Sequence, residues 1–151
     1  MTFSIVARCA RTGQMGMAVT SSSICVASRC AWAQAGVGVI ATQNLTDPGL
    51  GSAGLQLLAQ GQSAQQVLDH LVANDAGQAY RQLQVLDAQG VVVQHTGQQA
   101  LPTVASALGH GCGAAGNLLA NTGIPQAMVE CFESLREQPL AVRLLAALQA
   151  G

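Results

Sequence analysis

Met1-Thr2-Phe3-Ser4-Ile5-Val6-Ala7-Arg8-Cys9, the turn Arg11-Thr12-Gly13 and the return from Met15 to Ser21-Ser22-Ser23 decide the fold of this 151-residue chain. Phe3, Ile5, Ala7 and Cys9 alternate with Ser4, Val6 and Arg8, and Met15, Met17 and Val19 alternate with small residues. Successive side chains of a strand point to opposite faces, so this period of two predicts a hairpin at the start of the chain. Removal of Met1 makes Thr2 the first residue. A terminal threonine carries a nucleophilic hydroxyl and, on the same residue, an α-amine whose pKa of about 7.7 to 8 leaves part of it neutral at pH 7. Ser21-Ser22-Ser23 falls opposite Thr2 in such a hairpin, and reads either as a polar strand end or as part of a site around Thr2.

Outward from the hairpin, Ile24 to Ala33 fits no single period, whereas Gly36 to Gln43 reads as a strand buried on both faces that ends on Thr42-Gln43-Asn44. Asp47-Pro48 reads as an N-cap followed by proline at the first helical position, opening a helix that Gly61 stops near Gln60. Ser63-Ala64-Gln65-Gln66 is a capping box for a second helix, striped by Val67, Leu68, Leu71 and Val72, and the two helices are expected side by side. Tyr80 to Leu86 and Val91 to Thr96 form a hairpin across Asp87-Ala88-Gln89-Gly90, and a further strand pair is expected between Pro102 and Asn117. Pro125 opens a third helix with Met128, Val129, Phe132 and Leu135 inward, and Pro139 a fourth through Leu144, Leu145 and Leu148. Strands and helices come in blocks, which favours an α+β class: a four-layer αββα sandwich of two antiparallel sheets with helices outside.

Composition narrows the partners. Half of the residues are apolar against 9% charged, and the formal net charge is −1. All six cations are arginine, so neither a basic stripe for nucleic acid nor a polybasic membrane patch is present. No apolar run reaches the roughly 20 residues of a membrane helix, and the N-terminus has no charged region followed by an apolar one. We therefore expect a cytoplasmic protein acting on a small molecule, with no nucleic acid and no membrane among its partners. The low charge fraction of so small a domain predicts a homo-oligomer.

Cys9, Cys25, Cys30, Cys112 and Cys131 are odd in number and never in C-x-x-C spacing, so they signal neither a disulfide framework nor a zinc site and read as small core residues. A cysteine enzyme using Cys9 or Cys25 has no histidine or other base nearby in sequence. His70, His95 and His110 lie too far apart to suggest a site, and no metal centre is expected. Gly111-Cys112-Gly113-Ala114-Ala115-Gly116 matches the dinucleotide fingerprint by letters, but a turn-rich segment and not a helix follows, so it reads as a strand that lets a backbone or ligand come close. Asn117 reads as a turn residue or as an amide donor to an oxyanion, Asp87 as a turn residue, and Arg29 and Arg81 as cleft residues or ordinary ion-pair partners.

Met1 to Arg8, Ala35-Gly36-Val37-Gly38, Ala41-Thr42-Gln43, Tyr80-Arg81-Gln82, Thr96-Gly97 and Gly116-Asn117 resemble, in order and over the whole chain, an uncharacterised bacterial family known as domain of unknown function 1028. Its members are regarded as N-terminal-nucleophile (Ntn) hydrolase-like. The resemblance implies an αββα sandwich and hydrolysis of a small non-peptide amide or related C–N bond. It also implies Thr2 as nucleophile, with Ser21, Thr42-Gln43 and Asn117 at strand ends around it. Where relatives carry lysine this chain has Ser22, with Arg29 as the candidate substitute. Thr2, Ser21 and Asn117 are thus the expected catalytic residues, and Ser22, Arg29, Thr42 and Gln43 the expected substrate-binding ones, without metal or organic cofactor. The resemblance further implies one domain over residues 1–151, with relatives continuing beyond it into a further strand. The competing expectation is a ligand-binding or oligomeric scaffold of the same fold without turnover.

Overall fold

The computed structural model describes residues 1–151. Two four-stranded antiparallel sheets lie face to face. The first contains β1 (Thr2–Arg8), β2 (Met15–Ser21), β7 (Ala105–Gly109) and β8 (Cys112–Asn117) in the order β2-β1-β8-β7. The second contains β3 (Ala31–Gln34), β4 (Gly38–Asn44), β5 (Arg81–Asp87) and β6 (Val92–Thr96) in the order β3-β4-β5-β6. Helices α2 (Pro48–Ala59) and α3 (Ala64–Ala73) cover the second sheet, and α4 (Ile124–Ser134) and α5 (Leu140–Ala150) cover the first. The expected α+β sandwich is the observed one.

The ambiguous Ile24 to Ala33 stretch resolves into a single helical turn, α1 (Ala27–Cys30), followed by the short edge strand β3. Asp47 caps α2 by accepting from the Gly49 N–H at 2.8 Å, and Ser63 and Gln66 form the reciprocal capping box of α3. Asp87 accepts from the N–H groups of Gln89 and Val91 at 3.0 and 2.9 Å, which fixes the β5–β6 turn. A 3-10 turn over Gln78–Tyr80 delays β5 until Arg81, and β7 starts at Ala105, three residues after the expected Pro102.

Each strand divides its residues between two environments. Phe3, Ile5, Ala7, Cys112 and Ala114 pack with Met128, Val129, Phe132 and Leu144 beneath α4 and α5, while Ile40, Leu83 and Val85 pack with Val67, Leu68 and Leu71 beneath α3. The faces between the sheets are apolar at one end only, where Val6, Val39, Ala41 and Leu86 meet Met15, Met17 and Val92. Three expectations about the core are corrected. Leu145 is 58% exposed, because α5 turns Leu140, Leu144 and Ala147 inward instead. Leu135 ends α4 as its C-cap and is half-buried. Cys25 is exposed, in a left-handed conformation (φ 53°) at a turn.

Candidate active site

The alternation that sends Phe3 and Ile5 to the helices sends Thr2, Ser4 and Val6 to the space between the sheets. In the same way Cys112 and Ala114 face the helices, whereas Gly113, Ala115 and Asn117 face the other sheet. Thr2 is the Cα partner of Ser21 on β2 and of Asn117 on β8, so three of the expected residues meet at one end of the first sheet. Thr2 Oγ1 lies 2.8 Å from Ser21 Oγ, and Ser21 Oγ also accepts from the Ser23 N–H at 3.0 Å. The Ser22 N–H donates to the Met1 carbonyl at 3.3 Å. That bond ties the chain start to the end of β2.

Behind Thr2 the inter-sheet space is filled by amides. Gln94 donates to Gln84 Oε1 (2.8 Å), Gln84 to Ser4 Oγ (2.9 Å), Ser4 to Gln43 Oε1 (2.6 Å), and Gln43 to Gln82 Oε1 (2.7 Å). Asn117 Nδ2 donates to the same Gln82 oxygen at 3.2 Å. Spare amide hydrogens go to the carbonyls of Ala114, Ala115 and Gly116 at 2.9 to 3.1 Å. An unpartnered buried amide costs about 1 to 3 kcal/mol, and none of these side chains is left in that state. Gly113 makes the arrangement sterically possible. A Cβ there would sit 2.7 Å from Val92 Cγ1 and 3.0 Å from Gln94 Nε2, so this glycine of the dinucleotide-like run serves close approach of the two sheets, whereas Gly111 (φ 66°) makes the β7–β8 turn.

The remaining expected residues divide, some staying near Thr2 and others turning away. Gln43 belongs to the amide run, but its neighbour Thr42 points to the other face of β4, fully buried, with Oγ1 2.9 Å from Thr46 Oγ1. Strand alternation therefore keeps Thr42 away from Thr2. Ser22 is exposed at the end of β2. Arg29 closes its own loop by donating to the Ile24 carbonyl at 3.1 Å and to the Ser23 hydroxyl. Arg81 forms an ion pair with Asp75, Nε to Oδ2 at 2.7 Å, and donates to the Leu45 carbonyl at 2.6 Å. That pair holds the Asp75 carboxyl below the usual range, chiefly through the Arg81 hydrogen bonds. His70, His95 and His110 lie on α3, on β6 and in the β7–β8 turn, and no three His, Cys, Asp or Glu side chains come together as metal ligands.

Sequence reasoning missed Ser4, Gln82, Gln84 and Gln94. The available signal was chemical: Ser4, Gln82, Gln84 and Gln94 sit at alternating strand positions and are one hydroxyl and three amides, with no charge among the four. Strand faces that meet water usually carry charge. The surface grooves lie away from Thr2: one of about 670 Å³ runs along β2 and β3 beside Leu140 and Leu144, at the opposite end from Thr2.

The chain matches the family described as "Family of unknown function (DUF1028)" over residues 2–151. It is similar to the crystal structure of a DUF1028 protein from Silicibacter pomeroyi, with a TM-score of 0.94 and 32% identity, over 99% of this chain and 69% of that one. No curated protein matches. With the family match and the structural likeness over 99% of this chain, the chain belongs to DUF1028, a family of unknown function.

Proposed function

We propose that this protein is an N-terminal-nucleophile amidohydrolase that cleaves a small non-peptide amide or related C–N bond, with Thr2 as nucleophile once Met1 is removed. The observation that carries this reading is the Thr2–Ser21 hydroxyl pair, 2.8 Å apart, on the inter-sheet face beside Asn117. Thr2 Oγ1 attacks the carbonyl carbon while the α-amine of the same residue takes the hydroxyl proton and returns it to the leaving nitrogen. The C–N bond breaks, an acyl ester of Thr2 remains, and water hydrolyses it by the same proton route. Departure of Met1 also removes the acceptor of the Ser22 N–H. That freed donor and the uncommitted N–H of Asn117 Nδ2 are suited to the developing oxyanion. Gln82 and Gln43 keep Asn117 in place.

The test is release of ammonia or amine from a panel of small amides, ureas and lactams by the Met1-free protein, with Thr2→Ala as control. Turnover in the wild type and none in a folded Thr2→Ala protein supports the reading. Equal turnover in both contradicts it.

A second reading, a binding or oligomeric scaffold of the same fold without turnover, is favoured by the lack of a free cation beside Thr2. The side chain bonded to Thr2 is a neutral hydroxyl, the chain has no lysine, and Arg29 is engaged at Ser23 and Ile24. Under this reading no member of the panel is cleaved although ligands bind.

A further inference from the structure

At the end of the sandwich opposite Thr2, a pocket of about 250 Å³ lies between the β1–β2 turn, the β7–β8 turn and the ends of α4 and α5. Arg8, Arg11, Arg136 and Arg143 line it, four of the six cations of a chain in which charge is scarce. Glu133 and Glu137 line it too, and leave the pocket two charges positive. Within the lining, Glu133 Oε1 accepts from the His110 N–H at 2.7 Å, and Glu137 Oε2 faces Arg11 at 3.8 Å on the exposed rim. Arg8, Arg136 and Arg143 have no carboxylate within 4.0 Å.

Arg143 is the decisive residue. It is only 6% exposed, its Nε and Nη2 both donate to the Phe132 carbonyl at 3.1 and 3.0 Å, and its guanidinium lies 3.7 Å from the centroid of the Phe132 ring. Nη1 makes no hydrogen bond within the protein. Nη1 still reaches solvent, so one carbonyl and one aromatic face hold the rest of the guanidinium and leave this donor available to a ligand in the pocket. Cys9 lines the same pocket, its thiol drawn down to about 7 chiefly by the Thr12 hydroxyl against the opposing effect of burial. Even a fully ionised Cys9 leaves the pocket one charge positive.

We infer that this pocket is a binding site for a small oxyanion of the phosphate type, held by Arg143 from within and by Arg136 at the mouth. Its volume lies below the roughly 300 to 1,000 Å³ of pockets for drug-sized ligands, so the occupant is a free phosphate ion or the phosphoryl group of a small ester. Guanidinium forks suit such oxygens geometrically. The site is separate from Thr2 and does not depend on the hydrolase reading.

The experiment is a thermal-unfolding and calorimetric titration of the full chain with inorganic phosphate and with glycerol phosphate, against sodium chloride at matched ionic strength. The expected result is saturable binding and a rise in Tm beyond that given by chloride. Arg143→Met, which keeps the volume of the buried stem, abolishes the response, and Arg136→Ala at the exposed rim weakens binding at least tenfold without unfolding the protein. Tighter binding of the ester assigns a phosphoryl group, and tighter binding of the ion assigns phosphate. A response no larger than that of chloride, or an undiminished one in folded Arg136→Ala, overturns the inference.

Discussion

The hydroxyls of Thr2 and Ser21 lie 2.8 Å apart across the first two strands, and Ser21 is itself held by the Ser23 N–H. The pairing orients the Thr2 side chain before any substrate arrives. It also makes the hydroxyl, and not the threonine methyl, the atom that matters. Thr2→Ser is therefore expected to retain measurable amide hydrolysis, Thr2→Ala to lose it by at least a factor of 100 with an unchanged circular dichroism spectrum, and Ser21→Ala to fall between them.

Gln84 sits in the middle of the amide run, donating to Ser4 and accepting from Gln94. Gln84→Leu preserves bulk but removes one bond from each of Ser4 Oγ and Gln94 Nε2, which keep their others, and should cost about 1 to 2 kcal/mol in urea unfolding. Gln65→Leu on the exposed face of α3 should stay within about 0.5 kcal/mol of wild type. Equal effects of the two would mean that the inter-sheet amides contribute nothing.

The contrast between these glutamines shows how much of the molecule its residues announce. Phe3, Ile5 and Ala7 alternate as a half-buried strand should, and Asp47-Pro48 and Ser63 to Gln66 carry helix starts in their own chemistry, so the sandwich was legible in local pattern. The site was legible where register alone decides: a hairpin that begins at Thr2 must bring Ser21 beside it. The family resemblance places Thr42 and Gln43 together, yet adjacent strand residues face opposite layers. Arg143, buried without a counterion, was not legible either, because it depends on how α5 packs against the end of α4 and the β1–β2 turn.

Gly51 lies on α2 against Trp32. A Cβ at that position would come within 2.1 Å of Trp32 Cδ1. Alanine gains about 1 kcal/mol in helix propensity over glycine, whereas overpacking costs about 1 to 3 kcal/mol, so packing should win. Gly51→Ala is expected to lower stability by about 1 to 2 kcal/mol and to shift the fluorescence of Trp32, the single tryptophan. An unchanged spectrum with higher stability would show that this contact is loose.

Asp75 and Arg81 form a mostly buried ion pair with Nε to Oδ2 at 2.7 Å. The Asp75 carboxyl is held below its unfolded value of about 3.9 by the Arg81 hydrogen bonds. Its contribution is therefore fully present above about pH 4 to 5 and is lost as pH falls through the lower folded-state value. Asp75→Asn should cost about 3 kcal/mol at neutral pH and flatten the acid limb of stability against pH. A variant that matches wild type at pH 7 would contradict this.

Hydrolysis by Thr2 needs its α-amine free, and the intact mass of the protein purified from a bacterial cytosol, with one round of N-terminal sequencing, reads that state. The expected mass is lower by one methionine, with threonine read first. Methionine read first, at full mass, would contradict it: the α-amine would be locked in a peptide bond, the Ser22 N–H would stay with the Met1 carbonyl, and Thr2 would have no base of its own.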